Sequence, residues 1–490
     1  MKRGRRWLVV LGGLLVVGAI AFPVLFVLSR GERDAPRDDP RAHIPSPPPH
    51  TDHTSLMQGP YPDGPAVTRA CLECHKGAAA EVMRTPHWKW EGDPVKVPGR
   101  AEPVRFGKKT LINNFCISVQ SNWQGCTSCH AGYGWVDDSF DFSRAENVDC
   151  LVCHDLSGTY AKATGGLPAE GVDLAAAAKS VGRPTRENCG GCHFKGGGGD
   201  AVKHGDLDSS LIHPRERVDV HMGRHDMICI DCHRTQGHVI EGRSVSVSVD
   251  NTHRVTCLDC HAQEPHADER LNAHVATVAC QTCHIPEVAL REATKVHWDW
   301  SAAGQNLPED AHEYLKKKGR FVYERKLQPE YYWFDGTVDR YLLGDKIRET
   351  PPTPLNPPRG TIQQAQARIW PFKVHRAVQI YDTVNRYLLV PKTVGAGGYW
   401  TDFDWDEAAR LGSKATGLAY SGKYDFTDTE MFWPLTHMVA PKEQALECQT
   451  CHGEKGLLDW RALGYPGDPI RWGGRSALGL VPAEPVRGED

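Results

Sequence analysis

"NNFCISVQSNWQGCTSCHAG", residues 113–132, contains three cysteines, and two of them, Cys126 and Cys129, stand as C-x-x-C with His130 directly after. In this arrangement two thiols bond the two vinyl carbons of one porphyrin edge while the adjacent imidazole reaches the iron. A single copy would equally suit a zinc half-site or a redox dithiol. The rest of the chain removes that ambiguity. Of seventeen cysteines, sixteen fall into eight C-x-x-C-H motifs. They are Cys71/Cys74/His75, Cys126/Cys129/His130, Cys150/Cys153/His154, Cys189/Cys192/His193, Cys229/Cys232/His233, Cys257/Cys260/His261, Cys280/Cys283/His284 and Cys448/Cys451/His452. Eight copies imply eight covalently bound haem c groups. The seventeenth cysteine, Cys116, belongs to no pair.

Haem is attached to such motifs outside the bacterial inner membrane, so a periplasmic chain is expected. Lys2, Arg3, Arg5 and Arg6 precede an uncharged, mostly apolar run from Trp7 to Leu28. Its 22 residues would cover about 33 Å as a helix, enough to span a bilayer. A cleaved leader has a shorter apolar core and a small-x-small exit site. This run ends in "FPVLFVLSR" without one, so residues 1–30 read as an uncleaved anchor, residues 7–28 in the membrane and the basic end cytoplasmic. A removable signal is the alternative. Residues 31–65, rich in Pro and charge, read as an extended linker, with His43, His50 and His53 as solvated linker side chains.

The expected fold class is a mainly α and irregular multihaem cytochrome c. Short helices and loops wrap a haem-packed core over residues 66–300, with a small β-containing region in 310–430. Seven motifs begin between residues 71 and 280, and residues 285–447 carry none. Within 301–490, before the eighth-haem segment, the pattern changes. "RFVYERKLQPEYYWFDGTVDRYLLGDKI" (320–347) alternates aromatic and β-branched residues about Asp335-Gly336, predicting a hairpin. "ARIWPFKVHRAVQIYDTVNRYLLVP" (367–391) resumes strand alternation, and "DFDWDEAARLGSKATG" (402–417) predicts a helix capped by Asp402 or Asp404. Lys and Arg total 57 against 61 Asp and Glu, so nothing supports nucleic-acid binding.

Twenty-four histidines are present. Haems used for electron transfer are normally six-coordinate, so seven or eight histidines outside the motifs should be distal ligands. The best placed are His87, His221, His238, His266, His274, His297 and His437, with His213, His225 and His253 in reserve. "PHWKW" (86–90) and "VHWDW" (296–300) share a His-Trp-x-Trp pattern in which a tryptophan can stack on a haem edge.

"NNFCI", "CTSCHAGYGW", "DCLVCHDLSGTY", "NCGGCHFKGGGGDAVKHGDLD" and "VACQTCHIP" are far more specific than the haem motif alone. From about residue 70 to the last haem motif, the chain resembles the octahaem tetrathionate reductases, a family of periplasmic multihaem cytochromes. The resemblance implies a catalytic haem on the second motif, its iron ligated by a lysine from a distant part of the chain, with a cysteine and an aspartate nearby. Carried over by motif, these are Lys203, Cys116 and Asp200; whether Lys203 adds to His130 or replaces it stays open. The roles are physically reasonable. Gly196 to Gly199 allow close approach and sharp turning. Asp200 and Lys203 share a face if a helical turn follows. A lysine binds iron only when neutral, and burial lowers its pKa.

The implied reaction is reduction of tetrathionate to two thiosulfates, with the Cys116 thiolate attacking the central sulfur–sulfur bond. Two alternatives stand beside it. One is reduction of nitrite or hydroxylamine at the same haem, with Asp200, Lys203 and His204 supplying protons; the C-x-x-C-K motif usual in dedicated nitrite reductases is absent. The other is a membrane-anchored multihaem electron carrier without catalysis. The expected partners are a small anionic substrate and a quinol or periplasmic cytochrome donor.

Overall fold

The computed structural model describes residues 40–47, 49–245 and 253–482. The expected anchor lies outside the described residues, and among those described no helix is long and apolar enough to cross a membrane. The chain divides into two compact units, Met1–Pro47 and Pro48–Asp490. In the first, Pro40–His43 forms a short 3-10 turn. The second contains all eight haem motifs and the sheet, so the boundary expected at residues 300/301 does not separate two units. Residues 48–65, expected to be linker, belong to the same unit as the haem motifs.

From Gly64 to His284 helices are short, as expected for a region whose core is porphyrin. The longest, Gly64–Cys74, opens on Asp63, whose carboxylate accepts from Ala66 N–H, and has Pro65 in its first turn. Thr185 and Asn188 form a reciprocal capping box at the start of Arg186–His193. Such caps make helices of one or two turns viable where propensity alone would not.

An eight-stranded mixed sheet follows. Its axis is Arg368–Asp382, fifteen residues buried almost continuously because both faces are covered. Tyr424–Pro434 pairs antiparallel along nearly all of it, from Phe372↔Pro434 to Asp382↔Tyr424. On the other side Thr294–Asp299 runs parallel, in register Arg376↔His297, and then pairs with Gly319–Glu324. The predicted hairpin about Asp335-Gly336 does not form: Glu330–Phe334 pairs with the first residues of the long strand instead. The alternation was read correctly, but its partner lies more than thirty residues downstream. The predicted helix is present as Trp405–Thr416, with Asp404 accepting from Glu407 N–H.

Cross-strand partners share a sheet face. Lys373 lies opposite Trp433, and His375 opposite Met431. Both polar residues are fully buried. This face meets the Gly-rich loop 196–205 and the Cys116 segment, so the β region forms one wall of the candidate site.

Candidate functional site

Seven of the eight motif histidines face a second imidazole. The pairs are His53–His75, His87–His193, His154–His238, His221–His261, His233–His437, His266–His284 and His274–His452, with ring centroids 6.1–6.3 Å apart. A metal–imidazole bond of about 2 Å sets each centroid about 3 Å from the metal, so two rings sandwiching an iron stand about 6 Å apart. The outer nitrogens are tethered as ligands require. His154 Nδ1 bonds to Gly182 O at 2.8 Å, His233 Nδ1 to Glu241 O at 2.9 Å, and His274 Nδ1 to Arg270 O at 2.6 Å. His238 Nδ1 bonds to Glu81 at 2.8 Å and His452 Nδ1 to Asp468 at 2.7 Å. These donor sets fit eight-haem chemistry.

Two expectations change. His53, read as a linker residue, faces His75; the turn at residues 54–56 and the buried Met57 hold its segment on the core. The one sequence signal was the apolar Leu56-Met57 step inside an otherwise polar, Pro-rich stretch. His297, nominated as a ligand, stands opposite no motif histidine among the described residues. A bulge between Lys295 and His297 breaks the strand's alternation. It turns Lys295 inward and leaves His297 lining an open groove with Glu324 and Arg376.

The haem-bearing thiols of different motifs also lie near one another. Cys71 pairs with Cys150, Cys189 with Cys229 and Cys257 with Cys280, while Cys189 is an electrostatic neighbour of Cys153, Cys232 of Cys260 and Cys283 of Cys451. The first, third, fourth, fifth, sixth, seventh and eighth motifs thus follow one another in a row. Cys129 of the second motif touches Cys192 of the fourth and stands off that row.

The second motif departs from the rest. His130 is fully buried in an aromatic box of Trp88, Trp90, Trp135, Phe140 and Phe142. Its Nε2–H donates to Trp88 O at 2.7 Å. The nitrogen expected to meet iron is therefore taken up by a carbonyl. Burial pushes the ring's pKa down to about 3. The motif's peptide is anchored by Lys162, which bonds Gly132 O at 3.0 Å and forms a buried ion pair with Asp149 at 2.8 Å. Tyr133 and Tyr160 hydroxyls both donate to that carboxylate at 2.8 Å. This network accounts for "HAGYGW" and "DCLVCHDLSGTY" as a unit. His130, expected as a metal ligand, stands here as a hydrogen-bond donor, with no second imidazole facing it among the described residues.

Lys203 occupies the vicinity instead. Its aliphatic stem lies against Gly196, where a Cβ would come within 3.3 Å of it. Its ammonium lies 4.8 Å from the Trp433 ring centroid and 5.9 Å from that of Phe115. Burial, with a smaller contribution from Lys108 and against the opposing Cys129, lowers its pKa to about 8. Gly197, at φ +87°, has no room for a Cβ between Phe115 and Val202. Lys373, absent from the expected set, donates to Val202 O at 3.0 Å, to Lys203 O at 3.2 Å and to Thr294 Oγ1, fixing the backbone that presents Lys203.

Cys116 packs against two core clusters, with Asn113 Oδ1 accepting its N–H at 2.9 Å. Cys126, Lys295 and Lys318 are its electrostatic neighbours. Asn114 binds His375 twice, through Nδ2 to the backbone O at 2.8 Å and through Oδ1 to Nδ1 at 3.1 Å. Asp200 is less close to this chemistry than expected. Ala201 adopts φ +57°, so no helical turn follows and Asp200 does not share a face with Lys203. Its carboxylate accepts from Ser209 N–H at 3.0 Å and from the Ser209 hydroxyl, closing the loop.

Residues 295–455 match the family model of bacterial cytochrome c. The structure superposes on the crystal structure of an octahaem cytochrome c from Shewanella oneidensis with a TM-score of 0.81. The two share 48% sequence identity over 86% of this chain and 98% of that one. No curated protein matches. With eight haem motifs and seven paired imidazoles, the molecule is a multihaem c-type cytochrome. The chain belongs to the octahaem cytochromes c and carries eight covalently bound haem c groups.

Proposed function

We propose that the protein is a periplasmic oxidoreductase that reduces tetrathionate to thiosulfate at the haem of the second motif, whose iron Lys203 would hold. One observation carries this reading: His130 Nε2 is bonded to Trp88 O, while the half-buried Lys203 is an electrostatic neighbour of Cys129. A lysine whose pKa has fallen to about 8 loses its proton to bind a metal far more readily than an exposed one.

Haem, when bound, supplies the two electrons one at a time. The chain's own residues do the rest. The Cys116 thiolate attacks the central sulfur–sulfur bond, forming Cys–S–S–SO₃⁻ and releasing one thiosulfate. Two electrons then cleave the new disulfide bond, returning the thiolate and releasing the second thiosulfate. Lys295 and Lys318 are the cationic neighbours of the Cys116 sulfur. Lys373 holds the Lys203 peptide, and Trp433, Phe115 and Trp298 keep the surroundings apolar. The proposed donor is the quinol pool or a periplasmic cytochrome.

Cys116→Ala is the test, with haem content and turnover measured on one preparation. Tetrathionate turnover should fall by two or more orders of magnitude with all eight haems attached. Undiminished turnover would exclude the thiolate mechanism. Parallel assays with nitrite and hydroxylamine distinguish reduction of those compounds at the same haem.

A further inference from the structure

Lys295 is 3% exposed, and its ammonium stacks 3.8 Å from the centre of the Trp298 ring and 5.1 Å from that of Phe321. Lys318 is half-buried, with Nζ 4.0 Å from the Cβ position of Gly198, and its carbonyl accepts from Trp298 Nε1–H. Trp298 and Phe321 belong to the same core cluster that Cys116 and Cys126 pack against. The two lysines therefore flank the unpaired thiol on the side of the Gly-rich loop. Among the described residues neither ammonium has a carboxylate, carbonyl or hydroxyl partner. His375 adds an independent observation: it is fully buried, is an electrostatic neighbour of Lys295, and its Nε2 has no partner.

Buried cations without counter-charge are costly, and such groups are retained where an anion completes them. We infer that Lys295 and Lys318, with the free nitrogen of His375, form an oxyanion subsite that seats one sulfonate end of a dianionic substrate beside the Cys116 sulfur. This deepens the proposed function and rests on placing the reacting molecule at Cys116. Haem carboxylates are the other anions at hand. In a porphyrin attached through its vinyl groups, however, the propionates lie on the opposite edge, whereas Cys116 is a neighbour of Cys126 at the thioether edge. The subsite therefore belongs to an exogenous oxyanion. Its position explains how a nucleophilic thiolate approaches a doubly negative molecule: the charge of the end group is met by ammonium groups before the sulfurs meet.

The test is equilibrium dialysis of the oxidised holoprotein against tetrathionate and against thiosulfate at fixed ionic strength. It compares wild type, Lys295→Gln, Lys318→Gln, the double variant and Lys295→Arg. The double variant should bind both anions at least about tenfold more weakly, with each single variant intermediate and Lys295→Arg near wild type. In steady state KM for tetrathionate should rise more than kcat falls. Haem content and the low-spin spectrum report on folding; should the double variant lose haem, the single variants carry the comparison. Unchanged anion binding in the variants overturns the inference. So does unchanged binding accompanied by a shifted midpoint potential, which would assign the lysines to haem carboxylates. If Cys116→Ala keeps full turnover while anion binding still depends on Lys295, the thiolate mechanism fails and the subsite stands. If turnover needs Cys116 but binding ignores both lysines, the reverse holds.

Discussion

Lys295→Met separates the burial of this cation from any role in turnover. Burial pushes the ammonium pKa from 10.5 down to about 7, with Cys116 opposing and Lys318 adding to the effect. The unfolded chain keeps the ordinary value. Between about pH 7 and 10.5 the unfolded state holds a proton that the folded state lacks, so stability rises with pH across that window. Below about pH 7 both states are charged and the full penalty applies. The interval from 10.5 to about 7, at about 1.4 kcal/mol per pH unit, amounts to about 5 kcal/mol. Methionine keeps the stem against Trp298 and removes the charge. The variant should therefore be the more stable protein, by about 5 kcal/mol at pH 6, about 2 kcal/mol at pH 9, and hardly at all above 10.5. At about 2.1 cal/mol/K per residue, unfolding 490 residues carries about 1 kcal/mol/K, so the gap at pH 6 is about 5 °C in Tm. The assay is thermal denaturation of both holoproteins in oxyanion-free buffer at pH 6, 7.5 and 9, followed by circular dichroism. A gap that is constant with pH, that widens towards alkali, or that favours wild type at pH 6 refutes the reasoning.

Four further outcomes follow from the geometry. His53→Ala should convert one haem from low to high spin by removing the ring opposite His75, read by electron paramagnetic resonance. His130→Phe leaves the Trp88 carbonyl buried without its donor, costing about 1–3 kcal/mol. It should leave the spectrum of the second-motif haem unchanged, and a changed axial field there would return His130 to the iron. Gly197→Ala would press a Cβ to 2.8 Å from Phe115 at φ +87°, with an expected loss of about 1–3 kcal/mol and lower tetrathionate turnover at unchanged haem content. Lys373→Met removes the anchor of the Val202 and Lys203 carbonyls, so amide exchange over residues 201–205 should speed up while the sheet stays protected.

The cofactor content was legible because C-x-x-C-H is contiguous chemistry: spacing alone places two thiols and an imidazole on one porphyrin. Distal histidines were legible as a set, since six of the seven nominated face a motif histidine. Their individual positions depend on tertiary contacts that no local pattern encodes. His53 sits in a segment whose composition suggests solvent, and His297 follows a bulge that reverses the strand's alternation. The hairpin about Asp335-Gly336 failed for a related reason: a longer strand, Arg368–Asp382, offers more ladder than the local turn does. Lys295, Lys318, Lys373 and His375 carried no signal in the sequence because each comes from a strand or turn of the β region and belongs to no haem motif. The membrane call rests on residues outside those described.

The placement of the second motif off the row, meeting it among the described residues at the fourth through Cys129 and Cys192, makes a trunk with a side branch. Reducing equivalents entering at either end of the trunk converge on one junction before they reach the second motif. Donors docking near the first motif or near the eighth would reach the branch through the same junction, and interrupting the fourth haem would isolate the branch while leaving six groups of the row still able to take up charge.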